Sequence, residues 1–181
     1  AEKLLSMVTQ LLDLQKTELH AECLKVSPYD IKAYLEEKIA EFHMAVLQKG
    51  VEIQLKAEAD MPQVWMDRDK MDHIVDNLLS NALKYTEKGI IYITVRTTKK
   101  KWSIEVKDTG IGIPKEEYQN IFKRFYRGSR PEVESCEGAG VGLYLVRQIL
   151  EEQGGSIRAV AGRTCGTIFQ MTLPKKTYRQ E

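Results

Sequence analysis

Asp108 opens the first of three short motifs whose residue types could bind a small molecule. The motif reads DTGIGIP, from Asp108 to Pro114, and it follows a predicted strand. A carboxylate where a strand ends can accept a hydrogen bond from an exocyclic amine. Glycines in such a loop let the backbone approach a flat ring, because they carry no side chain. The same residues are equally compatible with a tight surface turn that an aspartate caps.

The second motif is rich in glycine and precedes a predicted helix. It reads GAGVGL, with glycines at Gly138, Gly140 and Gly142. Free N–H groups at a helix N-terminus, together with the helix dipole, attract phosphate. The spacing differs from the dinucleotide fingerprint, and the motif lacks the Lys-Ser/Thr pair of a P-loop. A flexible hinge is the alternative interpretation.

The third motif, NLLSNALKYT, lies inside a predicted helix. Asn77, Asn81, Lys84 and Tyr85 occur at i, i+4, i+7 and i+8, so they share one helical face. An amide oxygen there could bind Mg²⁺, which prefers oxygen ligands. The lysine could reach a phosphate, and the tyrosine could stack on a base. The alternative is a polar face that is simply solvated.

The elements around these motifs predict an α+β fold, a two-layer α/β sandwich. Hydrophobic periodicity predicts a helix over MDRDKMDHIVDNLLSNALKYTEKG, two strands over IIYITVRTT and WSIEVKD, a helix over VGLYLVRQILEEQGG, and two final strands over SIRAVAG and GTIFQMTLP. We expect a mixed, mostly antiparallel sheet with helices on one face. The stretch from Thr109 to Glu137 is long and irregular, which is typical of a functional lid or of disorder.

The N-terminal part of the chain predicts two further helices and a strand. An apolar stripe from Leu4 to Leu19 indicates a helix of about five turns, which suits a helical hairpin, a dimer seam or packing on the same domain. Ser27 is a suitable N-cap and Pro28 a suitable first residue for a helix that Gly50 ends. A strand from Val51 to Leu55 follows.

Composition excludes several classes of protein. Of 181 residues, 43% are hydrophobic and 29% charged, and the net charge of +1 gives no reason to expect nucleic acid or a membrane surface as a partner. The three cysteines and three histidines are widely spaced, which argues against a disulfide framework or a metal cluster. No apolar run approaches the ~20 residues that span a bilayer.

Taken together, the ordered motifs resemble those of the catalytic ATP-binding domain of two-component sensor histidine kinases. That domain has the Bergerat fold, which gyrase B, heat-shock chaperones and mismatch-repair ATPases share. The resemblance runs from about Ser27 to Pro174: Asn77–Thr86 is similar to the N box, DTGIGIP and GAGVGL to the two glycine boxes, IFKRFYRG to the F box, and GTIF to the terminal glycine-threonine element.

The resemblance implies a role for each matching position. Asp108 binds the adenine amine, Gly110 and Gly112 flank the base, Tyr85 packs on it and Thr167 supports the Asp108 pocket. Asn81, with Asn77 beside it, binds Mg²⁺. Lys84 and Arg127 contact phosphates, which Gly138, Gly140 and Gly142 cradle, and Ile113 and Leu143 complete the ATP site. The lid is Lys115 to Glu137, and Phe122 and Phe125 anchor it to the body of the domain.

The resemblance also implies an activity and a domain arrangement. Residues 1–24 resemble the second helix of the dimerisation hairpin and a linker, and 25–181 the catalytic domain. The implied reaction transfers the γ-phosphoryl of Mg-ATP to a histidine on an upstream helix, since none of the chain's histidines has the family's sequence context. A response regulator, a homodimer through the N-terminal helix, and a cytoplasmic location without direct membrane contact are further expectations.

Two alternatives to this activity stay open. A gyrase-like or repair-type ATPase is disfavoured, because Asn77 stands where those relatives carry a water-activating Glu, and an amide cannot act as a base near neutral pH. The other alternative is a degenerate domain that senses nucleotide without catalysis. It is weakened because each nucleotide-contacting position keeps a suitable residue type.

Overall fold

The computed structural model describes residues 24–58, 61–134 and 138–175. The N-terminal helix predicted within residues 1–24 therefore lies outside the described part, apart from Leu24. The elements are β1 (Val26–Tyr29), α1 (Ile31–Glu41), α2 (His43–Lys49), β2 (Val51–Lys56), β3 (Val64–Asp67), α3 (Arg68–Tyr85), β4 (Gly89–Thr97), β5 (Lys101–Lys107), a short 3-10 helix (Lys115–Glu117), α4 (Pro131–Glu134), α5 (Gly142–Glu152), β6 (Ser156–Ala161) and β7 (Thr167–Pro174).

Five strands form the main sheet, in the order β2-β4-β5-β7-β6. Only the β2–β4 pair is parallel, and the other three pairs are antiparallel. Side chains alternate between buried and more exposed along β4, β5 and β7, because successive residues of a strand point to opposite faces. One face of the sheet is therefore the core face, and the predicted two-layer α/β sandwich is confirmed.

The helices α3 and α5 cover this core face. Seven apolar residues of α3 are buried, and they cluster with sheet residues such as Ile93, Val106 and Phe169, which are neighbours in register. Asp67 begins α3 as its N-cap, since its carboxylate accepts a 3.2 Å hydrogen bond from the N–H of Lys70. The core thus fixes the rotation of α3 about its axis, which aims the opposite, polar face away from the core.

The far end of α3 is held by a lysine from another element. The Lys49 ammonium, at the end of α2, donates hydrogen bonds to the carbonyl oxygens of Leu83 and Lys84, the second at 2.9 Å. A positive charge at the C-terminus of a helix is favourable because of the helix dipole. The last turn of α3, where Lys84 and Tyr85 lie, is thereby fixed.

Two details of the N-terminal prediction are wrong. Ser27 and Pro28 lie in β1, which pairs antiparallel with β3 in a separate two-stranded sheet, and neither strand was predicted. The N-cap of α1 is instead Asp30, whose carboxylate accepts hydrogen bonds from two N–H groups of the first turn, at 2.9 and 3.1 Å. The single helix expected up to Gly50 is two helices that meet at Phe42.

Gly50 ends α2 as predicted, with a left-handed φ of 64°. Strands β2 and β4 to β7 and helices α3 and α5 lie where the periodicity predicts them, within a few residues, whereas the 3-10 helix and α4 lie in the stretch predicted to be irregular. Among the described residues, no helix is long and apolar enough to cross a membrane.

Candidate nucleotide-binding site

Asp108 follows the last residue of β5 and is almost fully buried, with 4% of its surface exposed. Its Oδ1 accepts hydrogen bonds from the N–H of Gly110 at 2.9 Å and from the N–H of Thr167 at 3.1 Å. Its own N–H donates to the carbonyl of Thr167 at 2.9 Å. Both donors use the same oxygen, so the second carboxylate oxygen, Oδ2, is the one that can face a ligand.

Burial changes the acidity of this carboxyl group. Loss of hydration raises the pKa of Asp108 above its ordinary value, and the backbone N–H groups of Gly110 and Thr167 oppose that rise without cancelling it. An aspartate that has a raised pKa, and no cationic partner among the described residues, is typical of a site that uses a carboxylate to bind a ligand.

Two glycines let the chain pass close to Asp108. A Cβ at Gly166 would lie 2.0 Å from the carbonyl oxygen of Asp108, and a Cβ at Gly110 would lie 2.1 Å from the carbonyl oxygen of Tyr85. Gly110 therefore packs the turn against the end of α3. Gly112 lines the cavity described below and Gly110 does not, so the place of Gly110 beside the base stays a prediction.

The polar face of α3 forms the opposite wall. The Asn77 side chain donates through Nδ2 to the carbonyl of His73 at 2.7 Å, which orients its amide oxygen away from its own helix turn. That oxygen lies 2.2 Å from where a Cβ at Gly142 would be. The Asn81 side chain makes no hydrogen bond with any other described residue. Two amides on this wall are thus oriented toward, or available to, a ligand.

The third wall is the N-terminus of α5. Val141 precedes this helix and provides no side-chain cap, so the first N–H groups of α5 are not satisfied in the usual way. Gly138, before the helix, lies close to the wall formed by α3, since a Cβ there would be 3.2 Å from the Lys84 ammonium. A lysine and an uncapped helix N-terminus together favour an anion at this end of the site.

These walls enclose one cavity of about 200 Å³. Apart from Gly110, it is lined by every residue that the resemblance assigns to ATP or Mg²⁺: Asn77, Asn81, Lys84, Tyr85, Asp108, Gly112, Ile113, Arg127, Gly138, Gly140, Gly142, Leu143 and Thr167. Asp108 at one end and the amides of α3 therefore face the same space.

Residues 115–134, which follow the first glycine motif, form a further side of this cavity. Phe122 is buried and packs edge to face on Phe169 of β7, with ring centroids 6.5 Å apart. Phe125 is 56% exposed and has a left-handed φ of 61°, so the expectation that it also anchors the lid is wrong. Phe122, together with its buried neighbour Ile121, ties this segment to the core.

A sequence profile described as "Histidine kinase-, DNA gyrase B-, and HSP90-like ATPase" matches residues 66–177. The chain belongs to this family of ATPases. Its Bergerat fold and its identification as an ATP-binding domain of the histidine kinase type are confirmed by that match and by the relatives below.

The sequence relatives of this ATPase domain include sensor kinases. It is 32% identical to Histidine kinase P4 of Formosa agariphila, over 96% of this chain and 13% of the relative. It is 31% identical to the sensor histidine kinase WalK of Bacillus subtilis, over 99% of this chain and 30% of the relative. The chain thus spans less than a third of the length of either relative.

Solved structures show the same fold. In the crystal structure of full-length ShkA in complex with AMPPNP, a region that is 26% identical superposes with a TM-score of 0.85 and covers 98% of this chain and 37% of ShkA.

Several residues of this ATPase site were missed by sequence reasoning. Arg130 lines the cavity and donates from Nη1 to the carbonyl of Ile111 at 2.8 Å, so it connects the lid to the first glycine motif. Glu117 and Tyr126 also line the cavity. Charge in an irregular segment does not indicate which side chains turn inward, so only the tertiary fold identifies them.

The amides of α3 suit a magnesium ion carried by ATP. Mg²⁺ prefers oxygen ligands and keeps several of its waters, so one or two neutral amide oxygens beside a phosphate chain are a suitable set. The orientation of the Asn77 amide and the lack of a described partner for Asn81 agree with this use. The described residues contain no cluster of three or more His, Cys, Asp or Glu that would bind a metal without the nucleotide.

Proposed function

We propose that this domain binds Mg-ATP and transfers its γ-phosphoryl group to a histidine on a helix that belongs to the parent protein. The observation that supports this most is the shared cavity: a buried carboxylate, a helical face with two amides, and an uncapped helix N-terminus all line it. A carboxylate suits an exocyclic amine, and an uncapped helix N-terminus suits phosphate.

Each wall of the cavity would do one part of the work. Asp108 Oδ2 accepts a hydrogen bond from the adenine amine, while Tyr85 and Ile113 contact the ring. Lys84 and Arg127, with the glycines before α5, neutralise phosphate charge. Asn81 and Asn77 would hold the metal ion, which would offset the negative charge of the phosphate groups when bound. Phosphoryl transfer depends mainly on such positioning and charge neutralisation.

The same arrangement disfavours hydrolysis of ATP by water. An amide occupies position 77, and it donates its N–H group to the carbonyl of His73 instead of presenting a base to a water molecule. A histidine that arrives with its own nucleophilic nitrogen does not need such a base. The domain is therefore expected to bind nucleotide tightly enough to react, yet to turn it over slowly on its own.

The partners of the whole protein follow from this reaction. We propose that residues 1–24 continue a dimerisation hairpin, so that two copies associate through it, and that the phosphoryl group passes from histidine to a response regulator. A cytoplasmic location, with no direct membrane contact by this chain, fits the supply of ATP, and Mg²⁺ accompanies the nucleotide.

The experiment mixes this chain with Mg²⁺, labelled ATP and a separate protein that carries an upstream histidine helix. The expected result is label on the helix that acid removes and base does not, because phosphohistidine is acid-labile. The Asn81→Ala variant should abolish most of it. Steady ATP turnover without labelled helix would contradict the proposal and favour an ATPase.

A further inference from the structure

Glu117 is a buried carboxylate that lies in the lid and lines the ATP cavity. It ends the short 3-10 helix, and only 7% of its surface is exposed. Within the described part of the chain, no Lys, Arg or His forms an ion pair with it. Burial of a charged group without a cationic partner costs folding free energy unless hydrogen bonds satisfy the group. The hydrogen bonds of Glu117 are therefore informative about its role.

The hydrogen bonds that the Glu117 carboxylate accepts come from Ser129, two residues after Arg127. Its Oε1 accepts from the Ser129 hydroxyl at 2.9 Å and from the Ser129 N–H at 3.4 Å. Tyr126 is the residue before Arg127. Burial first, and then the nearby negative charge of Glu117, raise the pKa of the Tyr126 hydroxyl. The carboxylate thus bonds the second residue after Arg127 and lies near the residue before it.

The residue between Arg127 and Ser129 also touches Glu117. A Cβ at Gly128 would lie 2.9 Å from Oε2 of Glu117, so the carboxylate packs directly against the backbone there. Arg127 itself lines the cavity, and its Nη2 donates to the carbonyl of Val133 at 2.7 Å. The backbone that follows Arg127 is therefore fixed from inside the lid by Glu117.

We propose that Glu117 is a positioning residue that holds the 126–129 segment so that Arg127 reaches the phosphate groups of the nucleotide. It acts through Arg127 and contacts no nucleotide atom in this role. The inference rests on the proposed function in one respect only, which is that phosphates occupy the cavity near Arg127.

The test compares the affinities of ADP and adenosine, because only ADP carries the phosphates. In Glu117→Ala, the affinity for ADP should fall about tenfold, which corresponds to one hydrogen-bonded charge, while adenosine affinity stays unchanged. Glu117→Gln should keep most of the ADP affinity, since its amide oxygen still accepts from Ser129. The matched control is Glu116→Ala, which removes the exposed neighbouring carboxylate and should change neither affinity.

A double variant that also lacks the Arg127 side chain separates a positioning role of Glu117 from a general structural role. In Arg127→Ala, the further change Glu117→Ala should add no loss of ADP affinity, because the residue through which it acts is gone. Additive losses, or an equal loss of ADP and adenosine in a variant that melts like the wild type, would overturn the proposal. If Glu117→Ala does not fold, Ser129→Ala decides the question: it should lose ADP affinity selectively, and an unchanged affinity overturns the proposal.

These measurements distinguish a failure of the inference about Glu117 from a failure of the proposed function. A wild-type chain that binds neither ADP nor adenosine removes the nucleotide site and this inference together. If ADP affinity depends on Glu117 and Arg127 as described, yet the chain transfers no phosphoryl group to a histidine helix, only the proposed kinase reaction is refuted.

Discussion

The N–H of Thr167 donates a 3.1 Å hydrogen bond to Oδ1 of Asp108, from a position 59 residues later in the chain. The Asp108 N–H donates in return to the Thr167 carbonyl. This pair joins the end of β5 to the start of β7, so the sheet register itself orients the carboxylate. The orientation of the Asp108 carboxylate thus depends on strand pairing and does not depend on the lid.

Asp108→Asn should make the protein more stable near neutral pH while it weakens binding of adenine nucleotides. The raised pKa means that the folded state holds a proton on Asp108 more tightly than the unfolded state does. The wild type therefore loses stability as pH rises from the ordinary aspartate range through the folded-state pKa. The asparagine variant lacks this loss, because its amide oxygen accepts the same two N–H groups without a charge.

Urea unfolding of both proteins across pH measures this effect. The stability difference should be largest near neutral pH and should shrink as pH falls through the folded-state pKa of Asp108. The variant should also discriminate less between ADP and IDP, since its Nδ2 now faces the cavity and suits a keto oxygen. A variant that is less stable at every pH would refute the desolvation argument.

Asn81→Ala should weaken nucleotide binding in the presence of Mg²⁺ more than in its absence. The amide lines the cavity and has no partner among the described residues, so its removal costs the fold little. Binding of a fluorescent ATP analogue, with Mg²⁺ and with a chelator, measures both affinities. Gln54→Ala, which removes an exposed amide from β2, is the control. Equal losses under both conditions would exclude a role as metal ligand.

Gly142→Ala should disturb Asn77 without unfolding the domain. The new Cβ would lie 2.2 Å from the Asn77 amide oxygen, so the amide must move, whereas alanine itself suits the first turn of α5. We expect weaker Mg-dependent nucleotide binding at nearly unchanged melting temperature. Gly50→Ala is the matched control, because its Cβ meets nothing within 4 Å. It should cost about 1 kcal/mol of stability through its positive φ and leave nucleotide binding intact.

The two phenylalanines of the F-box motif should differ sharply in their effect on stability. Phe122→Ala removes a buried ring that packs on Phe169 and should cost about 3–5 kcal/mol in the free energy of unfolding. Phe125→Ala removes a ring that is more than half exposed and should cost less than about 1 kcal/mol. Chemical denaturation of both variants measures this contrast, and equal losses would contradict the different burial of the rings.

The sequence predicts the walls of the site because each wall belongs to a strongly periodic element or directly adjoins one. The apolar stripe of α3 fixes which face carries Asn77 and Asn81, and the alternation along β5 fixes where the strand ends before Asp108. Local patterns are sufficient for these elements. Whether the three walls meet depends on the sheet order. The family resemblance predicts that they form one site, and the residue pattern alone does not.

What the sequence does not predict depends on contacts between distant residues. β1 has four residues and contains Pro28, so its residues look like a helix start, and only pairing with β3 makes it a strand. The lid is also not predictable from local sequence. Its charged residues follow no helical or strand periodicity, so nothing in the sequence distinguishes buried Glu117 from exposed Glu116. Phe125 looks like an anchor in sequence, but a left-handed backbone turns its ring outward.

The central claim is that Asp108 and the amides of α3 contact one bound nucleotide. An NMR titration of the chain with Mg-ADP tests it most directly, by following the backbone amides of Gly110 and Thr167, which bond to Asp108, and the side-chain amide of Asn81. The account predicts that all three signals shift along one saturation curve, and that Asp108→Ala removes the shift at Asn81. Shifts at Asn81 that saturate separately, or that persist in Asp108→Ala with unchanged affinity, would contradict it.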